Sequence, residues 1–241
     1  YWLPQGHIDF LAYAPYDSKY DKKVTKDNQE LNFIVSPTIK DQKDLLWAKA
    51  TNQTMANNSG TDKKVKFQFA HALSRLGYTV KLNKEYTGTT ITLNKITLAG
   101  SKDGNQKAFY PNGTINLSTG IWTPSTSDEK LNFEWFTNTS GTELTTDATT
   151  NAVDNFLFVI PQDFSASETD KLYVIVEYTI KGYNGVKTPM KNTVYQKLEK
   201  NFVQGMAYTL NLTLGLTPIE FDVTTVEGWT DNNQGEINSW N

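Results

Sequence analysis

The chain has no cysteine among its 241 residues. Disulfides, thiolate metal sites and cysteine nucleophiles are therefore excluded. Arginine is nearly as scarce: Arg75 is the only one, so the bidentate guanidinium contacts by which proteins hold phosphate groups are almost absent. Together with a formal net charge of -3, this scarcity speaks against nucleic acid as a main partner.

Long apolar runs are also missing. No stretch approaches the roughly 20 apolar residues of a membrane-spanning helix, and no secretory signal peptide is recognisable. The sequence opens at Tyr1 within an already patterned segment, and we expect that an N-terminal piece is missing from it.

The sequence does contain alternating apolar and polar residues, with a period of two that is clearest between Lys64 and Leu82. Apolar and polar residues alternate over residues 65–69 and again over residues 78–82, beyond Gly77. This alternation predicts two strands, and the segment between them has room for one turn of helix. Only 38% of the chain is apolar, which suits β domains in which half of each strand faces water.

Similar segments recur along the chain. Strands are predicted at residues 7–14, 31–35, 65–69, 78–82, 90–98, 113–117, 131–136, 155–160, 172–180, 206–216 and 221–226, with residues 44–48 forming either a strand or a helical turn. The apolar run at 155–160 is typical of a central strand buried on both faces. A parity shift at Asn94 predicts a β-bulge, and residues 182–185 predict a turn.

Strands at this spacing, without a long helical period, predict an all-β antiparallel sandwich. The polar stretch at residues 51–63 predicts a domain boundary near Lys64, which divides the chain into residues 1–64 and 65–241. Residues 123–155 predict a long surface loop that carries a hairpin.

Few residues suggest catalysis. His7 and His71 are the only histidines and lie in different predicted domains. His71 and Ser74 could belong to a Ser-His-Asp triad, but no G-x-S-x-G elbow accompanies them. We expect His71 to be a structural residue that is hydrogen-bonded beside a strand end.

Other polar groups are also interpreted as structural. Glu134 and Glu177 could form a glycosidase pair, but the solvent face of a sandwich explains them better. The segments 103–105 and 231–233 carry oxygen ligands that calcium accepts, without the spacing of an EF-hand. We therefore expect turns there, no metal site and no cofactor.

Aromatic residues allow a rival hypothesis. A sugar-stacking platform could be built from Trp122, Trp135, Phe136, Tyr110 and Tyr183. Aromatic residues in alternating strands more often belong to the core or to cross-strand pairs. An exposed coplanar pair would favour a carbohydrate-binding protein, and a buried set would count against it.

Several segments resemble a known family when they are taken in order. Trp2-Leu3-Pro4, the segment DFLAYAP at residues 9–15, DLLWA at 44–48 and F-x-H-A-L-S at 69–74 are similar to motifs of the fimbrillin family. The Pro161-Gln162 pair and the strands at residues 202–214 and 221–229 continue the match. Fimbrillins are surface-pilus subunits and related lipoproteins of anaerobic Gram-negative bacteria.

The resemblance implies two tandem transthyretin-like antiparallel β-sandwich domains, the first incomplete at its N-terminus. It also implies export through the periplasm as a lipoprotein, a lipid anchor in the outer membrane on the precursor, and proteolytic removal of an N-terminal strand. The hydrophobic groove opened in this way would receive a C-terminal strand of another subunit.

The candidate donor lies within residues 219–240. Its apolar residues are Phe221, Val223, Val226, Trp229, Ile237 and Trp240. The alternative is that residues 219–229 form the last strand of their own domain and that the rest is a frayed tail. We expect a structural or adhesive pilus subunit at the cell surface, with other subunits as partners and no catalytic activity. The alternative function is a monomeric carbohydrate-binding surface protein.

Overall fold

The computed structural model describes residues 3, 5–20, 25, 28–58, 64–151, 155–165, 169–216 and 220–226. Within them the chain forms β-strands and short 3₁₀ turns at Ile39–Asp41 and Tyr183–Gly185. The strands are β1 (Ile8–Ala14), β2 (Glu30–Ile34), β3 (Leu46–Gln53), β4 (Ala70–His71), β5 (Ser74–Leu82), β6 (Thr90–Ala99), β7 (Asn112–Asn116), β8 (Trp122–Pro124), β9 (Phe133–Glu143), β10 (Thr149–Thr150), β11 (Leu157–Val159), β12 (Gln162–Asp163), β13 (Tyr173–Lys181), β14 (Met190–Lys197), β15 (Asn201–Phe202), β16 (Ala207–Leu214) and β17 (Glu220–Val226). None of the described residues belongs to a helix that is long and apolar enough to span a membrane.

Two sheets enclose the main core, and the predicted all-β class is confirmed. One sheet has the order β14-β13-β6-β9; in the other, β10 and β11 pair with β5, which is followed by β16 and β17. Strand β13 illustrates the alternation between buried and exposed faces. Its residues Val174, Val176 and Tyr178 are buried, whereas Glu177 on the opposite face is exposed. The pairing of β5 with β16 is parallel, an exception to the predicted antiparallel order.

The predicted bulge in β6 is confirmed. Lys95 pairs with Glu177 and Leu93 pairs with Tyr178, so Asn94 is the extra residue on its strand. The same irregularity appears against β9. The bulge keeps Leu93 and Ile96 on the core side although they are three residues apart.

Smaller sheets complete the fold, in the orders β1-β3-β4, β2-β7-β8 and β12-β15. Strand β2 pairs with β7, so strands from both sides of residue 64 share one sheet. Leu31 and Phe33 of β2 are buried in the same hydrophobic cluster as residues of β5 and β16. The division into residues 1–64 and 65–241, and the tandem arrangement, stay predictions.

Several local predictions were wrong. Residues 65–69 join no ladder, and the rings of Phe67 and Phe69 lie against each other with centroids 6.1 Å apart. The segment before Gly77, which has room for one turn of helix, forms none because β5 already begins at Ser74. Backbone hydrogen bonds to the segment before β16 extend the strand there. The apolar run at residues 155–160 supplies only β11, which lies outside β5 instead of at the centre of a sheet.

Candidate assembly interface

Strand β17 contains the described part of the candidate donor segment. It pairs antiparallel with β16, with Phe221 opposite Leu212, Val223 opposite Leu210 and Val226 opposite Ala207. Val223 is half-buried and packs against the core. Trp229, Ile237 and Trp240 lie outside the described residues. Within this chain, β17 therefore extends its own sheet, and its donation to another subunit stays a prediction.

Strand β16, with which β17 pairs, is an interior strand of its sheet. It pairs along its whole length with β5 on its other side, and Leu210, Leu212 and Leu214 are buried. Among the described strands, β17 has β16 as its sole neighbour. Removal of β17 would therefore break one ladder, whereas removal of β16 would divide the sheet.

At the other end of the chain, β1 offers an open sheet edge. Its pairing in the described part of the molecule is with β3 alone. Phe10, Leu11 and Tyr13 are half-buried, although successive side chains of a strand point to opposite faces. Both faces of β1 are thus incompletely covered, and one row of its backbone N–H and C=O groups has no strand beside it among the described residues.

Specific contacts hold the β1-β3-β4 sheet against the rest of the molecule. Lys49 Nζ donates to the carbonyl of Ser118 at 2.8 Å. The indole of Trp47 lies directly against Gly120. His71 Nδ1 lies 2.6 Å from Asp44 Oδ2 and links β4 to the loop before β3.

His71 therefore has the expected structural position beside a strand end. The hydroxyl of Ser74, which is fully buried, donates to the backbone carbonyl of Val203 at 2.8 Å. Ser74 and His71 thus use their polar atoms on different partners and do not form a nucleophile–base pair. Sequence reasoning missed Asp44 as the partner of His71, because the two are 27 positions apart.

The two glutamates of the glycosidase hypothesis lie on the solvent face of a sheet. Lys95 pairs in register with Glu177, and its amine contacts the Glu134 carboxylate on the next strand. Both glutamates are exposed. A lysine between two carboxylates on an open sheet face provides charge complementarity across strands and no enclosed cleft for a sugar.

The segment 103–105 forms a tight turn. The Asp103 carboxylate accepts hydrogen bonds from the Ser101 hydroxyl and from the backbone and side chain of Asn105, and these bonds lower the pKa of Asp103 below its ordinary value. The oxygens of this carboxylate are thus used within the turn. Residues 231–233 lie outside the described part of the chain.

The five aromatic residues of the sugar-platform hypothesis do not form one surface. Trp135 is 1% exposed and packs edge-on against Tyr78 in the core. Trp122 donates its Nε1–H to the carbonyl of Ala72 at 2.7 Å, and Tyr110 lies beneath Lys130. Tyr183 is 38% exposed, on the hairpin between β13 and β14. Phe136 is half-buried and packs against the core, so the five residues do not form a shared stacking platform.

Comparisons with known proteins agree with the resemblance seen in the sequence. A family model described as fimbrillin-like matches residues 1–229. Among solved structures, a fimbrial protein from Bacteroides vulgatus is 23% identical with a TM-score of 0.71, and the match covers 95% of this chain and 80% of that one. A candidate cell adhesion protein from Bacteroides uniformis is 22% identical with a TM-score of 0.54, covering 93% of this chain and 74% of that one. No curated protein matches the chain. The structural likenesses show that the fold is shared.

Proposed function

The chain belongs to the fimbrillin-like family, and from this membership we propose that it is a subunit of a surface fimbria that assembles with other subunits by β-strand donation. The solved structures with the same fold include one named as a fimbrial protein and one named as a candidate cell adhesion protein. Both names agree with a structural or adhesive role at the cell surface. A family of fimbrial subunits also favours a protein without catalytic activity.

The observation that carries the proposal is the edge of β1 that faces away from β3, beside which no other described strand lies. A strand added there would extend the β1-β3-β4 sheet and would cover the half-buried side chain of Leu11. Main-chain pairing provides affinity in this mode of recognition, and alternate side chains provide specificity. We infer that β1 borders the groove that another subunit fills.

The donor we propose is the C-terminal segment 219–240. If five apolar side chains of a donated strand were buried, the apolar contribution would be roughly 7–15 kcal/mol, at about 1.5–3 kcal/mol each. Ordering of the donor would offset much of this gain. Because β17 is already paired with β16, donation of this part would exchange one ladder for another. The net gain would then come from the newly covered groove.

Processing and anchoring complete the proposal. We infer that the precursor is exported through the periplasm, held at the outer membrane by a lipid anchor, and trimmed by proteolysis before assembly. The family resemblance supports this route. It places the mature subunit in a fimbria at the cell surface.

The proposal is tested by an assembly experiment on the full-length precursor. Protease would remove the N-terminal strand, and the products would be followed by SDS-resistant laddering and electron microscopy. A parallel sample would lack residues 219–241. We expect ladders in the intact sample and their loss in the deletion variant.

A matched control uses a different edge strand, β14. Tyr195 of β14 is 48% exposed, so Tyr195→Asp should leave both the fold and the ladders unchanged, whereas Val223→Asp in β17 should reduce the ladders. Monomers in the intact trimmed sample, or ladders that persist without residues 219–241, would overturn the proposed donor.

A further inference from the structure

The end of the sandwich that lies away from β4 carries two loops side by side. Strand β5 begins next to β4 and ends at Leu82, about 30 Å away for nine residues at roughly 3.3 Å each. Residues 83–89 then lead into β6, and residues 182–189 connect β13 to β14. We refer to this end, formed by residues 83–89 and 182–189, as the distal pole.

The two loops of the distal pole touch through their backbones. Gly182 has a φ of +81°, and a Cβ built on it would lie 2.2 Å from the carbonyl oxygen of Gly88. Only glycine permits both this conformation and this approach. The contact fixes the relative position of the loops, and a pocket of about 420 Å³ lies between residues 86–89 and 182–185.

The glycines of both loops leave open space for a ligand. Gly88 and Gly185 have positive φ angles, and a Cβ at either position would have no atom within 4 Å. Asn184, which directly precedes Gly185, also adopts the left-handed region, with φ 52° and ψ 32°. The volume is at the small end of the roughly 300–1,000 Å³ range that is typical of ligand pockets, and it suits a single ring rather than an extended chain.

The side chains that line the pocket are aromatic or neutral and polar. Tyr86 is fixed, because its hydroxyl donates to Asn83 Oδ1 at 2.8 Å and accepts from the Leu216 N–H at 3.1 Å. Tyr183 is 38% exposed. The side chains of Thr87, Thr89 and Asn184 make no hydrogen bond to any described residue, which leaves two hydroxyls and one amide for a ligand.

We propose that this pocket binds a neutral sugar ring, such as the terminal hexose or N-acetylhexosamine of a glycan. A sugar ring has an apolar face that can stack on an aromatic side chain and hydroxyls that pair with threonine and asparagine. The lining residues include no charged side chain, which favours a neutral ligand. The nearby amine of Lys84 lies over the Tyr86 ring, 5.4 Å from its centroid, which leaves Tyr183 as the ring for stacking. Of the five aromatic residues considered from sequence, Tyr183 alone contributes to this pocket.

The site shares no residue with the proposed groove or donor. It lies at the opposite end of β5 from the β1-β3-β4 sheet and contains no residue of β1 or β17. A failure of sugar binding would leave the assembly proposal untouched, and a monomeric protein could still bind the sugar.

Saturation-transfer difference NMR on the whole chain tests the proposal. The probes are the methyl glycosides of glucose, galactose, mannose and N-acetylglucosamine, with methyl glucuronide as the charged probe. We expect signal from at least one neutral glycoside. Tyr183→Ala should weaken binding at least tenfold by removing the stacking ring. Asn184→Gly should weaken it severalfold, because it removes the amide while keeping the backbone conformation.

The matched control is Tyr195→Ala, which removes an exposed tyrosine of β14 outside the pocket and should leave binding unchanged. Circular dichroism of each variant verifies folding, and Asn184→Gly is the safer variant because it relieves a left-handed non-glycine residue. The proposal is overturned if no neutral glycoside gives signal, if only the glucuronide does, or if Tyr183→Ala and Asn184→Gly both bind like the wild type.

Discussion

Trp47 and Gly120 lie in such close contact that a Cβ built on Gly120 would fall 2.3 Å from Cζ2 of the indole. Gly120 also has a φ of +77°, a conformation that other residues adopt only with strain. Trp47 belongs to β3, and Gly120 precedes β8 in the segment that follows β7. One glycine thus permits the β1-β3-β4 sheet to dock on the neighbouring β2-β7-β8 sheet.

Gly120→Ala should therefore destabilise the protein markedly. Left-handed strain costs about 1–2 kcal/mol, and displacement of the indole should add about 1–3 kcal/mol. Gly185→Ala is the matched control, since Gly185 has a φ of +75° and open space around the added methyl group. Urea unfolding of both variants separates the two contributions, and equal losses would show that Trp47 moves away without cost.

Trp135 should prove to be a core residue with a required hydrogen bond. Its Nε1–H donates to the carbonyl of Asn155 at 2.9 Å, and its ring meets Tyr78 edge-on with centroids 5.0 Å apart. Trp135→Phe leaves that carbonyl without its donor and leaves a cavity, so we expect a loss of about 1–3 kcal/mol in the free energy of unfolding. Tyr195→Phe on the surface should change it by less than about 0.5 kcal/mol. A similarly small effect for Trp135→Phe would contradict the core assignment.

The sequence predicted strands well where one face of the strand is buried and the other faces solvent. Strands β6, β13 and β16 alternate because a single core lies beneath them, with one interruption at the Asn94 bulge of β6. Strand β14 was missed, since nearly all of its side chains are exposed and Val194 alone is half-buried. Residues 65–69 alternate just as clearly yet join no ladder, because strand formation also requires a neighbouring strand, which no local pattern specifies.

The same limit applies to the candidate sites. The strand at residues 221–226 could be predicted from its composition. The parallel pairing of β16 with β5, which occupies the other side of β16 and joins residues as far apart in sequence as Ala207 and Arg75, could not. The turn at residues 182–185 was predicted from its glycines and asparagine. The distal-pole pocket depends on the approach of Gly182 to Gly88, which lie more than 90 residues apart. Neither segment contains a sequence pattern that predicts this contact.

Buried tyrosines should make the protein sensitive to alkali. Burial raises the pKa of Tyr20, Tyr78, Tyr178 and Tyr208, so the folded state favours the neutral phenol more than the unfolded chain does. This stabilisation is fully present below the unfolded pKa of about 10 and is lost as the pH rises through the higher folded values. We expect the urea midpoint to be steady from pH 8 to about pH 9.5 and to fall steeply above pH 10.

Tyr208 offers a direct check of this pH dependence. Its hydroxyl donates to the carbonyl of Asn201 and accepts from the Val203 N–H. Tyr208→Phe should lower stability at pH 8 by about 1–2 kcal/mol, because both backbone groups lose their partner. It should also make the fall above pH 10 shallower by removing one titrating group. An unchanged slope would mean that Tyr208 does not contribute to the alkaline transition.

A disulfide between β16 and β17 should decide whether β17 itself is donated. Thr209 and Thr224 are register partners, and Cα separations of about 4.5–5.5 Å in antiparallel pairs suit a disulfide. Because the chain has no cysteine, Thr209→Cys with Thr224→Cys would form a single defined bond. That bond fixes β17 to its own sheet, so the oxidised trimmed precursor should form no ladders, and a reducing agent should restore them.

The control for the disulfide test places the same kind of bond between interior strands. Thr92 and Thr179 are register partners of β6 and β13, and Thr92→Cys with Thr179→Cys should leave assembly unaffected in both redox states. If the oxidised β16–β17 variant assembles as well as the reduced one, β17 stays on its own domain during assembly and the donated residues must come from outside it. Loss of ladders on oxidation of the β16–β17 variant alone would show that assembly requires β17 to leave β16, because the two variants differ in which strand is fixed.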